Sequence, residues 1–163
     1  MARCAPAAHT HRALGASHRR CVGRGTCGVG LIYLDTCLLI YAFERHPDHG
    51  ERVRRALAGE SADRFAISPV VQFECLVAPL RDGNLELQRY YEEGLAQFVQ
   101  LPMSAEVFTH GAQLGARFGL KTPDALHLAA AQHHGCDALW TNDNRLAQAA
   151  HGLAVNVLTH ATR

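Results

Sequence analysis

Four acidic side chains lie at positions where a metal-dependent reaction could use them. Asp35 directly follows a short apolar run that is typical of a buried strand, and Asp143 lies just past another such run. Asp124 lies in the first turn of a candidate helix, whereas Glu74 lies in a largely apolar candidate helix. An unpaired carboxylate in such surroundings costs free energy. A hard cation such as Mg²⁺ or Mn²⁺ would turn the repulsion between converging carboxylates into coordination.

This donor set predicts hydrolysis of phosphate esters. Mg²⁺ is usually held by only a few protein carboxylates, which leaves coordination positions for phosphate oxygens. One or two such ions can generate a nucleophilic hydroxide and neutralise charge in an in-line displacement. Each aspartate also has a structural alternative: Asp35 as a helix cap, Asp124 as a partner of the helix dipole, and Asp143 as turn chemistry. Caps and turns do not explain Glu74.

Short apolar strands alternate with helices along the chain. The predicted strands are 31–34, 65–67, 98–101, 138–140 and 154–158, and the predicted helices are 37–43, 51–57, 69–80, 85–96, 104–118, 123–134 and 144–150. Strands separated by helices imply βαβ crossovers. We therefore expect an α/β fold, a three-layer α/β/α domain with a central, mostly parallel five-stranded sheet. Ligands of such sheets bind beyond the carboxyl ends of the strands, where Asp35 and Asp143 are expected.

Two helix starts carry a cap followed by proline, at Ser68-Pro69 and at Thr122-Pro123. The first of these helices has an apolar stripe, which predicts a face turned toward the core: Val70, Phe73, Val77 and Leu80. The second is apolar nearly all round as far as His134, which predicts a central helix.

Four segments, in this order, resemble one known family. They are Leu34-Asp35-Thr36, Phe73-Glu74, Thr122-Pro123-Asp124-Ala125-Leu126-His127-Leu128-Ala129-Ala130 and Leu139-Trp140-Thr141-Asn142-Asp143. Together they resemble the PIN domain, and more closely the VapC-type ribonuclease toxins of bacterial type II toxin–antitoxin pairs. The resemblance covers residues 31–158, and it includes the predicted strand or helix context of all four acids.

The resemblance implies a Mg²⁺- or Mn²⁺-dependent endoribonuclease. Its catalytic and metal-binding cluster would be Asp35, Glu74, Asp124 and Asp143. Thr141 would orient ligands or water, and Asn142 would contact the metal ligands rather than the metal itself. Asn144 and Arg145 follow the fourth acid where some relatives carry a further acid, so one metal or two stays open. The implied partners are a structured RNA, commonly tRNA or a ribosomal RNA loop, a cognate antitoxin that covers the groove, and a second copy in a homodimer.

Two alternatives remain for the function. The same acids could serve a phosphatase or a DNA nuclease. The domain could instead be a catalytically silent module that binds RNA or an antitoxin. Tyr41, Phe43 and Leu57 on the early helices fit either an antitoxin groove or an internal core stripe.

Charge is distributed unevenly over the 163 residues. The first thirty contain five arginines and no acid, whereas the remainder has eleven basic and fifteen acidic side chains, a net charge of −4. We expect residues 1–30 to be a disordered or mis-annotated extension, 31–158 to be the PIN domain and 159–163 to be a tail. Such an acidic body binds polyanions poorly, so Arg45, Lys121 and Arg145 are only weak candidates for RNA contacts.

The remaining residue types suggest a cytoplasmic protein with no membrane association. No apolar run reaches the roughly 18 residues that span a bilayer. None of the six cysteines forms a C-x-x-C pair, and we expect Cys37 and Cys75 to be buried core thiols. His127, three residues after Asp124, could hydrogen-bond to the acids, but we favour a packed or rim histidine. His46 and His49 lack a third zinc ligand.

Overall fold

The computed structural model describes residues 30–159, so the expectations for 1–29 and 160–163 lie outside the described residues. The sheet consists of five strands: β1 (Ile32–Leu34), β2 (Phe65–Ile67), β3 (Val99–Gln100), β4 (Ala138–Trp140) and β5 (Ala154–Val155). Their order is β3-β2-β1-β4-β5, and every pair is parallel. The predicted α/β fold with a five-stranded sheet is confirmed, and the sheet is entirely parallel rather than mostly so.

Within residues 30–159, seven α-helices connect and flank these strands. They are α1 (Thr36–Phe43), α2 (Gly50–Ala58), α3 (Pro69–Asp82), α4 (Leu85–Leu95), α5 (Ala105–Phe118), α6 (Thr122–His133) and α7 (Asn144–Ala149). A short 3₁₀ turn, Ala62–Arg64, precedes β2. The cap prediction for α6 was wrong by one residue, because Lys121 takes the N-cap position and Thr122 begins the helix.

The two faces of the sheet are both covered. Successive strand residues point to opposite faces, yet Ile32, Tyr33 and Leu34 of β1 are all buried, as are all three residues of β2. A strand that is buried on both sides requires a helical layer above and below the sheet. Helix α6 is buried over most of its surface, as its all-round apolar sequence predicts. None of the helices within residues 30–159 has the length and hydropathy to cross a bilayer.

Helix α3 buries a different face from the predicted one. Val71, Cys75 and Pro79 are its buried residues, whereas Phe73 is 68% exposed and Leu80 is 58% exposed. The prediction for the stripe of Val70, Phe73, Val77 and Leu80 was therefore wrong. Helix α3 carries two apolar rows, and both have helical spacing. Periodicity alone could not choose between them.

The chain changes direction across the sheet between β1 and β4. It first proceeds outward from β1 to β2 and β3, and then adds β4 and β5 on the other side of β1. Leu34 pairs with Trp140, and the Asp35 N–H donates to the Trp140 carbonyl at 3.0 Å. The connections after these two adjacent strands diverge, which opens a crevice at the carboxyl edge of the sheet.

Candidate active site

A cleft of about 700 Å³ lies at this carboxyl edge. All four predicted acids line it, although they come from four different connections or helices: Asp35, Glu74, Asp124 and Asp143. Thr36, His127 and Asn142 also line the cleft. The structure thus brings together side chains that are more than a hundred residues apart in sequence.

Asp35 is fixed by side-chain donors rather than by helix capping. It holds the N-cap position of α1, but its carboxylate makes no capping hydrogen bond. Its Oδ2 accepts from Thr141 Oγ1 at 2.6 Å and from Cys37 Sγ at 3.2 Å. Thr141 Oγ1 also accepts the Asp143 backbone N–H at 3.0 Å. Thr141 therefore links the first and the fourth acid.

Glu74 has the partners that its apolar surroundings require. Its Oε2 accepts from Thr36 Oγ1 at 2.6 Å and lies 2.9 Å from His127 Nε2. Burial raises the pKa of Glu74, but the hydrogen bonds from His127 and Thr36 outweigh that effect, so the pKa lies below its ordinary value. Glu74 is therefore a well-stabilised carboxylate.

His127 is the second donor to Glu74, although the sequence favoured a packed or rim histidine at this position. It is only 1% exposed, as expected of a packed histidine, but it also contacts Glu74, which is the alternative we did not favour. Its Nδ1 lies 2.9 Å from the Tyr33 hydroxyl, which lies 2.6 Å from Ser68 Oγ. Thr36, Tyr33 and Ser68 were not predicted to contact Glu74 or His127. Thr36 could have been noticed, since it directly follows Asp35.

Asp124 has no comparable donors. It lies in the first turn of α6, and within residues 30–159 no hydrogen bond to its carboxylate is present. Burial raises the pKa of Asp124, and the charges of Asp143 and Asp35 raise it further. This shift agrees with the position of the three carboxylates in the lining of one cleft.

Asp143 and Asn142 also have structural contacts. Asp143 is the N-cap of α7, and its Oδ1 accepts from the N–H groups of Arg145 and Leu146 at 2.7 and 2.9 Å. The alternative of cap or turn chemistry is thus real for this acid, although its charge acts on Asp124 across the cleft. Asn142 Nδ2 donates to the Tyr41 hydroxyl at 3.1 Å, not to an acid.

The three basic residues that are weak candidates for RNA contacts lie in two different places. Lys121 is exposed at the N-cap of α6, where its charge lowers the pKa of Asp124, and Arg145 is exposed in α7. Arg45 lines another groove, beside α4. Cys75 is buried as expected, whereas Cys37 is only partly buried: it packs against the core and also lines the acidic cleft.

The donor chemistry of the cleft fits a divalent cation, although the site is open. In the part of the chain that the structure describes, no three His, Cys, Asp or Glu side chains form a group that could hold an ion. Mg²⁺ is commonly bound through one or two carboxylates together with waters and substrate phosphates, not by a closed protein cage. The unbonded carboxylate of Asp124, with its raised pKa, is the clearest candidate for such a ligand.

The PIN domain family model matches residues 32–152, most of the chain. The chain belongs to the PIN domain family. The predicted resemblance is therefore confirmed on the region that contains all four acids. No curated protein matches the sequence.

Solved structures share the fold of this PIN domain at low sequence identity. A toxin–antitoxin complex from Klebsiella pneumoniae is 24% identical, with a TM-score of 0.65 over 77% of this chain and 97% of that chain. FitAcB from Neisseria gonorrhoeae is 23% identical, with a TM-score of 0.60 over 80% of this chain and 100% of that chain. VapC20 from Mycobacterium tuberculosis, described as a toxin that cleaves the sarcin–ricin loop, is 14% identical, with a TM-score of 0.64 over 75% of this chain and 95% of that chain. The TM-scores, rather than the low identities, show the shared fold.

Proposed function

We propose that this PIN domain is a divalent-metal-dependent endoribonuclease and the toxin of a type II toxin–antitoxin pair, acting in the cytoplasm. The observation that carries the proposal is the cleft at the switch between β1 and β4, which all four carboxylates line. The raised pKa of Asp124, caused by burial and by Asp143 and Asp35, supports a site that a cation would neutralise. VapC20, the structural neighbour described as cleaving the sarcin–ricin loop, supports the choice of RNA as substrate.

In this proposal the four acids bind the cation, and neighbouring side chains orient the carboxylates. Asp124 and Asp35 are the principal ligands, and Glu74 and Asp143 complete the ligand set. Thr141 holds the Asp35 carboxylate in place through its 2.6 Å hydrogen bond. A bound Mg²⁺ or Mn²⁺ would supply charge neutralisation at the phosphate and an activated water.

The decisive experiment measures RNA cleavage by purified protein that is free of antitoxin. We expect cleavage of tRNA or ribosomal RNA fragments with Mg²⁺ or Mn²⁺, and its loss with chelator. Asp35→Asn and Asp124→Asn should abolish cleavage, whereas Asp48→Asn, a change of an exposed acid outside the cleft, should not. Continued cleavage by both cleft variants would indicate a contaminating nuclease and overturn the proposal.

The same assay separates the alternatives. Hydrolysis of small phosphate esters or DNA, without RNA cleavage, would indicate a phosphatase or a DNA nuclease. RNA binding without cleavage would indicate a silent module. Sequencing of cellular RNA ends after induction would identify the cleaved RNA.

A second groove, of about 730 Å³, is the surface that we assign to the antitoxin. Phe43, Leu85 and Tyr90 contribute its apolar surface, and Arg45 and Arg89 contribute positive charge. Leu85 is 68% exposed and Tyr90 is 49% exposed in the same groove, so the apolar surface there is contiguous rather than a single side chain. The toxin–antitoxin complexes among the neighbours support a peptide as its occupant.

Co-expression with a short neighbouring reading frame tests this assignment. We expect Leu85→Asp to abolish co-purification of the antitoxin while leaving RNA cleavage intact. Phe108→Asp, at another exposed apolar residue on α5, serves as the control. Equal loss of co-purification in both variants would contradict the assignment.

We assign the exposed row of α3 to the contact between two copies of the chain. Phe73 and Val77 lie at the border of the acidic cleft, and with Leu80 they form an apolar row that the same row of a second copy could cover across a two-fold axis. Light scattering should give the mass of a dimer for the unaltered chain and that of a monomer for Leu80→Asp. A monomeric unaltered chain would contradict this assignment.

A further inference from the structure

A chain of buried hydrogen bonds leads from the end of β2 to the acidic cleft. Ser68 Oγ lies 2.6 Å from the Tyr33 hydroxyl, Tyr33 lies 2.9 Å from His127 Nδ1, and His127 Nε2 lies 2.9 Å from Glu74 Oε2. Ser68 and Tyr33 are completely buried, and His127 nearly so. These hydrogen bonds connect residues of β1, α6 and α3 with Ser68, which follows β2.

The chemistry of Glu74 fixes which atom donates at the cleft end of these hydrogen bonds. An ionised carboxylate only accepts hydrogen bonds, so His127 Nε2 must carry the hydrogen that lies between it and Glu74. This assignment holds whichever charge the imidazole has. Burial raises the pKa of Tyr33, which keeps its hydroxyl protonated. The hydroxyl donates to Nδ1 of a neutral ring, with Ser68 donating to the Tyr33 oxygen, and it accepts from Nδ1 of a charged ring and then donates to Ser68.

The contacts at Glu74 are concentrated on one oxygen. Thr36 donates to the same Oε2 from α1, so donors from two helices restrain the carboxylate. Its Oε1 takes part in neither bond. Outer residues that orient a metal ligand in this manner commonly set metal affinity.

We propose that His127 is a positioning residue for Glu74. Its ring, itself held by Tyr33 and Ser68, donates from Nε2 to Oε2 and thereby fixes the Glu74 carboxylate for the cation of the cleft. This inference rests on the proposed function, because it concerns a ligand of the proposed metal site. The role extends beyond packing, since it depends on one hydrogen at one ring nitrogen.

Two substitutions of His127 separate hydrogen-bond donation from packing. Glutamine can place an amide N–H near the position of Nε2, whereas asparagine is shorter and cannot reach Glu74. In a Mn²⁺ titration of the full chain, followed by the electron paramagnetic resonance of free Mn²⁺, we expect His127→Asn to weaken binding about 10- to 100-fold. His127→Gln should stay within about threefold of the unaltered chain. His133→Asn, on the exposed side of the same helix, is the control.

A double-mutant cycle tests whether His127 acts through Glu74. In a Glu74→Gln background, His127→Asn should cause no further loss of Mn²⁺ affinity. Equal Mn²⁺ affinity of His127→Asn and the unaltered chain would overturn the inference and leave the proposed function standing. Failure of the unaltered chain to bind Mn²⁺ would overturn both.

A third variant keeps the test decisive if His127→Asn does not fold. Tyr33→Phe removes only the hydroxyl that contacts Nδ1, and we expect about a threefold loss of Mn²⁺ affinity. In spectra of ¹⁵N-histidine-labelled protein, the unaltered chain should have hydrogen on Nε2 of His127, and Tyr33→Phe should shift the Nδ1 resonance. A ring protonated on Nδ1 alone would overturn the inference.

Discussion

Glu74 and Asp124 line the same cleft, but their surroundings are opposite. Two side-chain donors meet one oxygen of Glu74, and its pKa lies below its ordinary value despite burial. Asp124 lies among like charges, and burial together with Asp143 and Asp35 raises its pKa. The fold thus supplies the charge of Glu74 with partners and leaves the charge of Asp124 to be neutralised from outside.

The difference follows from where each residue lies in the fold. Glu74 projects from α3 toward α1 and α6, which provide Thr36 and His127 as donors. Asp124 lies in the first turn of α6 at the mouth of the cleft. The helix dipole favours a negative charge there, but it does not offset burial and the neighbouring carboxylates. A cation would bind first where the charge is least compensated.

The largest expected effect is on catalysis by the uncompensated acid. Asp124→Asn should lower the rate of RNA cleavage at least about 1000-fold, equivalent to about 4 kcal/mol of transition-state stabilisation. Glu74→Gln should lower it less, about 10- to 100-fold, since it perturbs a ligand that its neighbours still hold. Single-turnover cleavage at a fixed Mn²⁺ concentration measures both rates. A larger loss for Glu74→Gln would reverse the ranking and contradict the comparison.

Stability without metal should change in opposite directions in the same two variants. At pH 7 with chelator, Glu74→Gln should lower the free energy of unfolding by about 1.5 kcal/mol, because charge-assisted hydrogen bonds become neutral ones. Asp124→Asn should raise it, because the variant removes a charge that the fold disfavours. Urea unfolding measures both changes. Asp48→Asn, at an exposed acid, should leave the free energy nearly unchanged.

The pH dependence of these two effects should also differ in sign. The pKa of Glu74 is lowered on folding, so its stabilisation is present above the unfolded value of about 4.5 and is lost as the pH falls through the folded value. The pKa of Asp124 is raised on folding. The contribution of Asp124 to stability is therefore most favourable below its unfolded pKa of about 3.8, and it is lost as the pH rises through the folded pKa. The advantage of Asp124→Asn should therefore vanish in acid.

The parallel pairing of the strands and the edge of the sheet that holds the acids followed from local patterns. Strands that alternate with helices imply a parallel sheet, and acids just beyond β1 and β4 fall at its carboxyl edge. The buried face of α3 did not follow, since its two apolar rows have the same spacing. The two edge strands, β3 and β5, are shorter than predicted because pairing with one neighbour only supports fewer residues.

Partners in the cleft were harder to predict than the acids. Tyr33 and His127 are 94 residues apart in sequence, and Tyr33 and Ser68 are 35 apart. Their contacts arise from the packing of β1, α6 and the end of β2, which no local spacing encodes. Thr141 was foreseen only through resemblance to a family, but its contact with Asp35 is again one between distant parts of the chain.

A substitution at Thr141 tests whether the hydrogen bond that restrains Asp35 contributes to Mn²⁺ affinity. Thr141→Val keeps the shape of the side chain but removes the donor to Asp35 and the acceptor for the Asp143 N–H. We expect about a tenfold loss of Mn²⁺ affinity and a loss of about 1 kcal/mol in stability. Thr109→Val, an exposed change on α5, controls for the substitution itself. Unchanged Mn²⁺ affinity would mean that Asp35 needs no such restraint.

The smallest effect should come from Lys121, whose charge partly compensates Asp124. Lys121→Gln removes a cation that lowers the pKa of Asp124, so Mn²⁺ should bind about twofold more tightly. RNA should bind less tightly, and the slope of log affinity against log salt should lose about 0.7 if Lys121 contacts one phosphate of a single strand. Arg45→Gln, in the groove beside α4, should change neither quantity. Weaker binding of both Mn²⁺ and RNA would mean that Lys121 supports the fold of the cleft. The opposite signs are expected only if its charge acts on a carboxylate that the protein leaves uncompensated.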